Sequence, residues 1–84
     1  MKDTTVDTKL LIANRLRTAR KQSGYKSSRE FALKYGIPES TYSQHETGKR
    51  KIRIATLLRY CEFLSISPGW IIVGEDHYKN SNLL

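Results

Sequence analysis

The chain has 84 residues, a formal net charge of +7 and one cysteine, Cys61. A chain of this length forms one domain and buries only about 60% of its unfolded surface, so a compact fold with local contacts is expected. One cysteine excludes an internal disulfide, and a cysteine within an apolar helical pattern is expected to be buried. The sequence has neither a signal-peptide core nor 18 consecutive apolar residues. We therefore expect a cytoplasmic protein without a membrane partner.

The basic residues are concentrated in the first part of the chain. Residues 1–60 carry 14 basic and 5 acidic side chains, whereas residues 61–84 carry 1 basic and 3 acidic side chains. This asymmetry favours a domain that presents one basic surface to a polyanion such as nucleic acid. A membrane surface is the competing polyanion, but no predicted helix combines a strongly basic face with a broad apolar one.

The first predicted helix has Asp7 or Thr8 as its cap and runs to about Ser23. Helical spacing gives it a buried stripe made of Ile12, Leu16 and Ala19. Residues 1–7 precede this pattern and are expected to form a flexible segment.

Two short helices joined by a tight turn are predicted between Ser27 and Glu46. Ser27 and Glu30 have the spacing of a capping box, in which the serine oxygen accepts the third helical amide and the glutamate returns to the serine amide. Gly36 can adopt the left-handed conformation that ends a helix, and Pro38 is tolerated in the first turn of the next one. Two helices separated by a short turn with a glycine form the helix-turn-helix pattern.

The second helix of this pair has one small, polar face. At 100° per residue, one arc holds Glu39, Ser40, Ser43, Gln44 and Thr47, and the other holds Thr41, Tyr42, His45 and Glu46. Short hydrogen-bonding side chains allow a helix to enter the major groove of DNA, where glutamine can bond adenine bidentately and serine can bond several base edges. For the arc taken alone, an ordinary solvated surface is the alternative.

The order of these signals follows a known pattern. The form S-Q-x-x-L-A-x-x-x-G-[VI]-x-x-[ST]-x-[IV]-[ST]-x-x-E-x-G is met at Ser27, Phe31, Ala32, Gly36, Ile37, Ser40, Tyr42, Ser43, Glu46 and Gly48. From about Ile12 to Gly74 the chain thus resembles the lambda-repressor-like helix-turn-helix family of the Cro/Xre type. Ser28 replaces the usual glutamine, and the turn from Gly24 to Ser27 is one residue longer than usual. The resemblance implies an all-α fold, a compact bundle of about five short helices, that binds double-stranded DNA.

The resemblance also implies roles for individual residues. The polar arc would read bases through Glu39, Ser40, Ser43 and Gln44. Arg20, four residues before Gly24, would pair with Glu46 as a structural brace. The alternative for Arg20 is a solvated side chain on a basic helix.

A dense positive loop follows the helix that is expected in the groove. Its position favours contact with phosphate, which sets register and affinity but reads no sequence. A merely solvated loop is the alternative. The residues expected to contact phosphate are Ser28, Arg29, Thr47, Lys49, Arg50, Lys51 and Arg53.

The last part of the domain is strongly apolar. A fourth helix is predicted with an apolar arc over more than half of its circumference: Ile54, Leu57, Leu58, Tyr60, Cys61, Phe63 and Leu64. So wide an arc needs two neighbours, the core and a last short helix between Ser67-Pro68 and Gly74. In many family members the equivalent helix forms the dimer contact, which implies a homodimer interface at Phe63, Trp70, Ile71 and Val73. Capping of the monomer core is the alternative. Residues 8–74 would then be the domain, and residues 75–84 a polar tail.

The sequence carries no catalytic or metal-binding pattern. There is no Cys/His cluster with metal spacing, no phosphate-binding glycine loop and no nucleophile pair for His45 or His77, so neither an enzyme nor a cofactor is predicted. His45, on the inner arc, is expected to pack in the core.

The leading hypothesis is a transcriptional regulator of the phage or bacterial repressor type. It would bind a palindromic operator as a dimer and would exclude or recruit polymerase. The alternatives are a restriction-modification controller, an antitoxin that also masks a toxin, and an adaptor that docks a protein.

Overall fold

The computed structural model describes residues 8–74, which form five helices and, within that range, no strand. The helices are α1 (Thr8–Gln22), α2 (Ser28–Tyr35), α3 (Glu39–Thr47), α4 (Ile54–Leu64) and α5 (Pro68–Val73). The prediction of an all-α bundle of five short helices is confirmed. Over the same residues, no helix is both long and apolar enough to cross a membrane. The segments 1–7 and 75–84, predicted to be a flexible start and a polar tail, lie outside the described residues.

The start of α2 is fixed by two side chains. The Ser27 hydroxyl accepts the backbone N–H of Glu30 at 3.0 Å, and the Glu30 carboxylate accepts the backbone N–H of Lys26 at 2.7 Å. The glutamate thus reaches one residue further back than a regular capping box requires. Both contacts satisfy amides that have no partner within the helix, so they stabilise this N-terminus in the predicted place.

The turn between α2 and α3 depends on Gly36. Gly36 has a φ of 69°, in the left-handed region, and the next amide, that of Ile37, donates to the Ala32 carbonyl at 2.9 Å. Helix α3 begins at Glu39 rather than at Pro38. Pro38 is the capping residue, and its carbonyl accepts the Tyr42 amide at 3.1 Å.

The core is built from one face of each helix. Its buried members are Leu16, Ala19, Phe31, Ala32, Tyr42, Leu57, Tyr60, Cys61, Leu64 and Ile71. Phe31 has ring neighbours from two other helices, with centroids 4.8 Å from Tyr42, 6.3 Å from Tyr60 and 6.4 Å from Phe63. Tilted and edge-on aromatic pairs of this kind contribute about 0.5 to 1.5 kcal/mol each beyond the burial of apolar area.

Tyr35 connects three parts of the fold. Its ring stacks on Phe63 at 4.2 Å and 10°, and its hydroxyl donates to the Phe63 carbonyl at 3.2 Å. The Tyr25 hydroxyl lies 2.9 Å from that of Tyr35, and it is the donor of this pair because the Tyr35 proton is already used. The turn after α1, the end of α2 and the end of α4 are therefore held by one chain of contacts.

The apolar arc of α4 is narrower than predicted. Leu57, Tyr60, Cys61 and Leu64 are buried, but Ile54 and Leu58 are 61% and 45% exposed. Ile54 is the first residue of the helix, and Leu58 lies to one side of the face that meets the core. The core and α5 therefore do not cover the whole of the predicted apolar arc.

Helix α5 closes the bundle against α1. The Ser67 hydroxyl accepts the Gly69 amide at 3.1 Å, and the Arg15 guanidinium donates to the carbonyls of Ile71 and Ile72 at 3.2 and 3.1 Å. A cation at a helix C-terminus satisfies carbonyls that have no partner in the helix. Ile71, which was predicted at a dimer interface, is completely buried in the monomer, as expected for the alternative in which it caps the monomer core.

Leu10 lies over the glycine that ends α3. Gly48 has a φ of 80°, and a Cβ added there would come 2.6 Å from Cδ2 of Leu10. Gly36 has a similar φ of 69° but open space around it. Gly48 is therefore constrained both by its backbone conformation and by its neighbour.

We predict that Gly48→Ala destabilises the domain more than Gly36→Ala. Both alanines adopt a left-handed conformation at a cost of about 1 to 2 kcal/mol. Only the methyl group at Gly48 displaces Leu10, which adds about 0.5 to 1.5 kcal/mol for an unfavourable rotamer. Urea unfolding of the two variants measures the difference. In a Leu10→Ala background the two losses should become equal; equal losses with Leu10 present would contradict the prediction.

Candidate nucleic-acid interface

The two arcs of α3 have different surroundings. On the inner arc Tyr42, His45 and Glu46 are buried and Thr41 is half-buried. On the outer arc Glu39, Ser40 and Thr47 are exposed, while Ser43 and Gln44 are half-buried. The four side chains predicted to read bases thus share a single face of α3, and the larger side chains anchor the opposite face.

Glu46 is held by Arg20 of α1. The guanidinium Nε donates to Oε2 at 2.8 Å and Nη2 donates to Oε1 at 3.0 Å, while Nη1 donates to the Tyr25 carbonyl at 2.7 Å. The two side chains are only 5% and 6% exposed. The hydrogen bond to Glu46 raises the pKa of Arg20 above its already high ordinary value, so the guanidinium stays charged. This two-point contact fixes both the position and the rotation of the α3 C-terminus.

Tyr42 is one turn earlier on the same arc. Its ring packs on Phe31, and its hydroxyl has no hydrogen-bond partner among residues 8–74. Burial raises the pKa of Tyr42 far above its ordinary value, and the nearby Glu46 carboxylate raises it further. The phenol therefore remains neutral and acts as a packing residue.

His45 joins α3 to α4. Its Nδ1 lies 2.8 Å from the Tyr60 hydroxyl. Burial lowers the pKa of His45, and the positive charge of Arg50 lowers it further. Burial also raises the pKa of Tyr60 to about 12. Both rings are consequently neutral near pH 7, and the hydrogen bond between them joins two neutral groups.

The basic loop begins directly after α3. The loop residues Lys49, Arg50, Lys51 and Arg53 are all exposed. The Arg50 amide donates to the Gln44 carbonyl at 3.2 Å, so the loop backbone is attached to the last turn of α3. Four cations next to the polar arc form a surface suited to phosphate.

The three other residues predicted to contact phosphate differ in their availability. Arg29 is exposed in the first turn of α2 and Ser28 is half-buried. The Thr47 hydroxyl donates within α3, to the carbonyls of Ser43 at 3.0 Å and Gln44 at 3.4 Å. In this structure the Thr47 proton is therefore not available to phosphate.

Three of the residues predicted at a dimer interface remain at least partly accessible. Val73 is 54% exposed and Trp70 is half-buried. Phe63 is half-buried as well, but it stacks on Tyr35, and the Arg59 guanidinium lies 5.9 Å from its ring centre. Phe63 is thus largely engaged within the monomer, which leaves Trp70 and Val73 for a partner.

Sequence reasoning did not identify two partners at this site. Tyr60, which pairs with His45, is separated from it by 15 positions, and no local rule links them. Tyr25, whose carbonyl is the third acceptor for Arg20, follows Gly24 directly. A glycine that ends α1 turns the chain back on itself, and this local signal could have indicated that contact.

The described residues offer little other reactive chemistry. Cys61 is a buried free thiol, and burial raises its pKa. In residues 8–74, no group of three or more His, Cys, Asp and Glu side chains is placed to hold a metal ion.

An all-α domain with a braced helix-turn-helix, a polar outer arc and an adjoining basic loop has the architecture of a DNA-binding domain. The HTH_3 family model, described as helix-turn-helix, matches residues 16–71, which is 56 of the 84 residues. The chain belongs to this Cro/C1-type family of DNA-binding domains, which confirms the predicted lambda-repressor-like fold. No curated protein and no solved structure matches the chain.

We predict that His45 makes the domain less stable as the pH falls from about 7 to 5.5. The pKa of His45 is lowered in the folded protein below the ordinary value of about 6.5. The unfolded chain therefore binds the proton more tightly, and stability is lost as the pH falls through the unfolded pKa toward the folded one. Urea unfolding at several pH values measures this slope.

The control is a variant that combines His45→Phe and Tyr60→Phe. It removes the titrating ring without leaving either polar partner unpaired, and His77 remains in both proteins. The slope between pH 7 and 5.5 should be smaller in the double variant. Equal slopes would mean that His45 does not titrate as predicted.

Proposed function

We propose that this protein is a cytoplasmic, sequence-specific regulator of transcription of the phage or bacterial repressor type that binds double-stranded DNA. The observation that carries the proposal is the outer arc of α3, which presents Glu39, Ser40, Ser43 and Gln44 while the buried Arg20–Glu46 pair holds the helix from behind. A helix with short polar side chains can approach base edges closely, and a fixed helix places them reproducibly.

Within this arc Gln44 is the strongest candidate for a base-specific contact. Its amide offers a donor and an acceptor together, the pattern that adenine presents in the major groove. Ser40 and Ser43 can bond several base edges and discriminate less. Glu39, which is exposed in the first turn, would accept from a cytosine amine.

Phosphate contacts would come from the chain on both sides of α3. The loop from Lys49 to Arg53 follows it, and Ser28 and Arg29 open the preceding helix. The hydrogen bond from the Arg50 amide to the Gln44 carbonyl supports a fixed distance between the base-reading and the phosphate-binding residues. Such contacts set the register of α3 on the duplex.

We propose that two copies act together on a palindromic operator. One helix of nine residues touches only a few base pairs, which is too few to select one site among those of a genome. Trp70 and Val73 near the end of the described chain are the accessible apolar residues for a two-fold contact. A dimer bound across a promoter would exclude polymerase, or recruit it from a site slightly upstream.

Two variants are predicted to separate base reading from phosphate binding. Gln44→Ala should weaken operator binding by about 1 to 3 kcal/mol and flatten the preference at one base pair per half-site, without a change in salt dependence. The triple variant Lys49→Ala, Arg50→Ala, Lys51→Ala should reduce the slope of log affinity against log salt by about 0.9 for each phosphate contact that is lost.

Each variant is the control for the other. Selection from random duplexes supplies the operator, and titrations on operator and random DNA at several salt concentrations give both quantities. Equal losses on the two DNAs for Gln44→Ala would show that Gln44 reads no base. An unchanged salt slope in the triple variant would overturn the phosphate contacts of the loop.

The operator is predicted to contain two half-sites whose centres are about 10 base pairs apart. The two recognition helices of the dimer are then about 34 to 36 Å apart, as in phage repressors. Val73→Glu should weaken self-association at least about tenfold, because it places a charge in an apolar contact, and should change folding stability by no more than about 0.5 kcal/mol. Sedimentation equilibrium measures the association.

Leu33→Glu is the matched control, since Leu33 is 70% exposed but belongs to α2 and not to α5, which carries the proposed contact. It should leave association unchanged. A wild-type protein that stays monomeric on its operator would contradict the proposed dimer, and so would equal effects of the two glutamate variants.

A further inference from the structure

A pocket of about 200 Å³ lies between the helix-turn-helix and α4, on the inner side of α3. It is lined by the turn 36–38, by Thr41 and His45 of α3 and by Thr56, Arg59, Tyr60 and Phe63 of α4. Because an apolar cavity of about 150 Å³ holds benzene, a pocket of this size accommodates one aromatic ring with a small substituent.

The walls of the pocket are suited to a flat, apolar group. Ile37 and Pro38 contribute aliphatic surface from the turn, and Tyr60 and Phe63 contribute aromatic rings from α4. The Phe63 ring is held in place by its stack on Tyr35 at 4.2 Å. A second aromatic ring can pack against rings that are already fixed without ordering them first.

One ring nitrogen of the lining residue His45 has no hydrogen-bond partner among residues 8–74. His45 is only 6% exposed, and its Nδ1 is used by the Tyr60 hydroxyl at 2.8 Å. Its Nε2 has no hydrogen-bond partner among residues 8–74. When the Tyr60 hydroxyl donates to Nδ1, Nε2 carries the imidazole proton and can donate to a bound molecule. The hydroxyls of Thr41 and Thr56 add two further polar groups to the lining.

The charge of the lining selects an anion. Arg59 is its cationic member, no acidic residue lines the pocket, and Arg59 makes no ion pair with residues 8–74. Its guanidinium lies 5.9 Å from the centre of the Phe63 ring, which is within the range of a cation–π contact. A guanidinium binds a carboxylate with two parallel hydrogen bonds.

We propose that this pocket binds a small planar molecule that carries one carboxylate, with its ring between the apolar walls and its carboxylate on Arg59. An inorganic anion would leave the walls unused, and a neutral ring would leave Arg59 unpaired. A ligand in this position contacts α3 through Thr41 and His45, on the side opposite to the proposed base-reading arc.

The test is a titration of the DNA-free protein with benzoate, followed through backbone amide shifts in ¹H–¹⁵N spectra, so its outcome does not depend on the proposed function. We expect saturable shifts at Thr41, His45 and Thr56. Benzamide keeps the ring but has no charge, and acetate keeps the charge but has no ring. Each should bind at least about tenfold more weakly than benzoate.

Variants locate the site. Arg59→Gln should weaken benzoate binding about tenfold, whereas Arg17→Gln, which removes an equal charge from the exposed face of α1, should not change it. Thr56→Tyr keeps Arg59 but fills the pocket and should abolish binding. The proposal is overturned if benzoate gives no saturable shifts at the three residues, if acetate binds as tightly, or if the two arginine variants behave alike.

Discussion

The contact between Arg20 and Glu46 fixes the helix on which the proposed interface depends. Both side chains are almost completely buried, and two parallel hydrogen bonds join them. Breaking such a pair by removing one partner costs about 3 to 5 kcal/mol, because a buried charge is left unpaired, although replacing both partners by apolar residues is often neutral. We infer that the pair contributes mainly by specifying one position of α3 against α1.

The inner arc of α3 extends this constraint to every neighbouring helix. Glu46 contacts Arg20 of α1, Tyr42 packs on Phe31 of α2, and His45 bonds Tyr60 of α4. These three anchors contact three different helices, so α3 can neither slide nor rotate without losing a contact to one of them. Because the inner arc makes these contacts, the polar side chains of the outer arc are not needed to hold the helix in place.

Local signals explain why the helix-turn-helix could be predicted from the sequence. Ser27, Glu30 and Gly36 each act on backbone groups only a few residues away. In the structure Ser27 caps α2 and Gly36 ends it, as predicted. The one difference is that the Glu30 carboxylate accepts the amide of Lys26 instead of that of Ser27. The Arg20–Glu46 pair was implied by the family resemblance, and spacing alone could not have given it.

Apolar periodicity was less informative about what covers a side chain. Ile71 and Val73 belong to the same short apolar helix, yet the structure buries the first in the monomer and exposes the second. Similarly, Ile54 and Leu58 continue the apolar pattern of α4 but remain exposed. A helical pattern identifies a face, but the neighbour that covers it depends on tertiary packing. The pocket between α3 and α4 was unpredictable for the same reason, since its residues come from distant parts of the chain.

Arg50 connects the two halves of the proposed interface. Its backbone amide donates a hydrogen bond to the Gln44 carbonyl, and its positive charge contributes to the lowered pKa of His45. A phosphate bound to the Arg50 guanidinium would offset the second effect and raise the pKa of His45 toward its ordinary value. Burial is the larger cause of the lowered pKa, and it does not change when DNA binds the outer surface. We therefore expect His45 to stay neutral near pH 7 with or without DNA and to keep its hydrogen bond to Tyr60. If α3 binds the duplex as proposed, it would do so in the orientation that it already has.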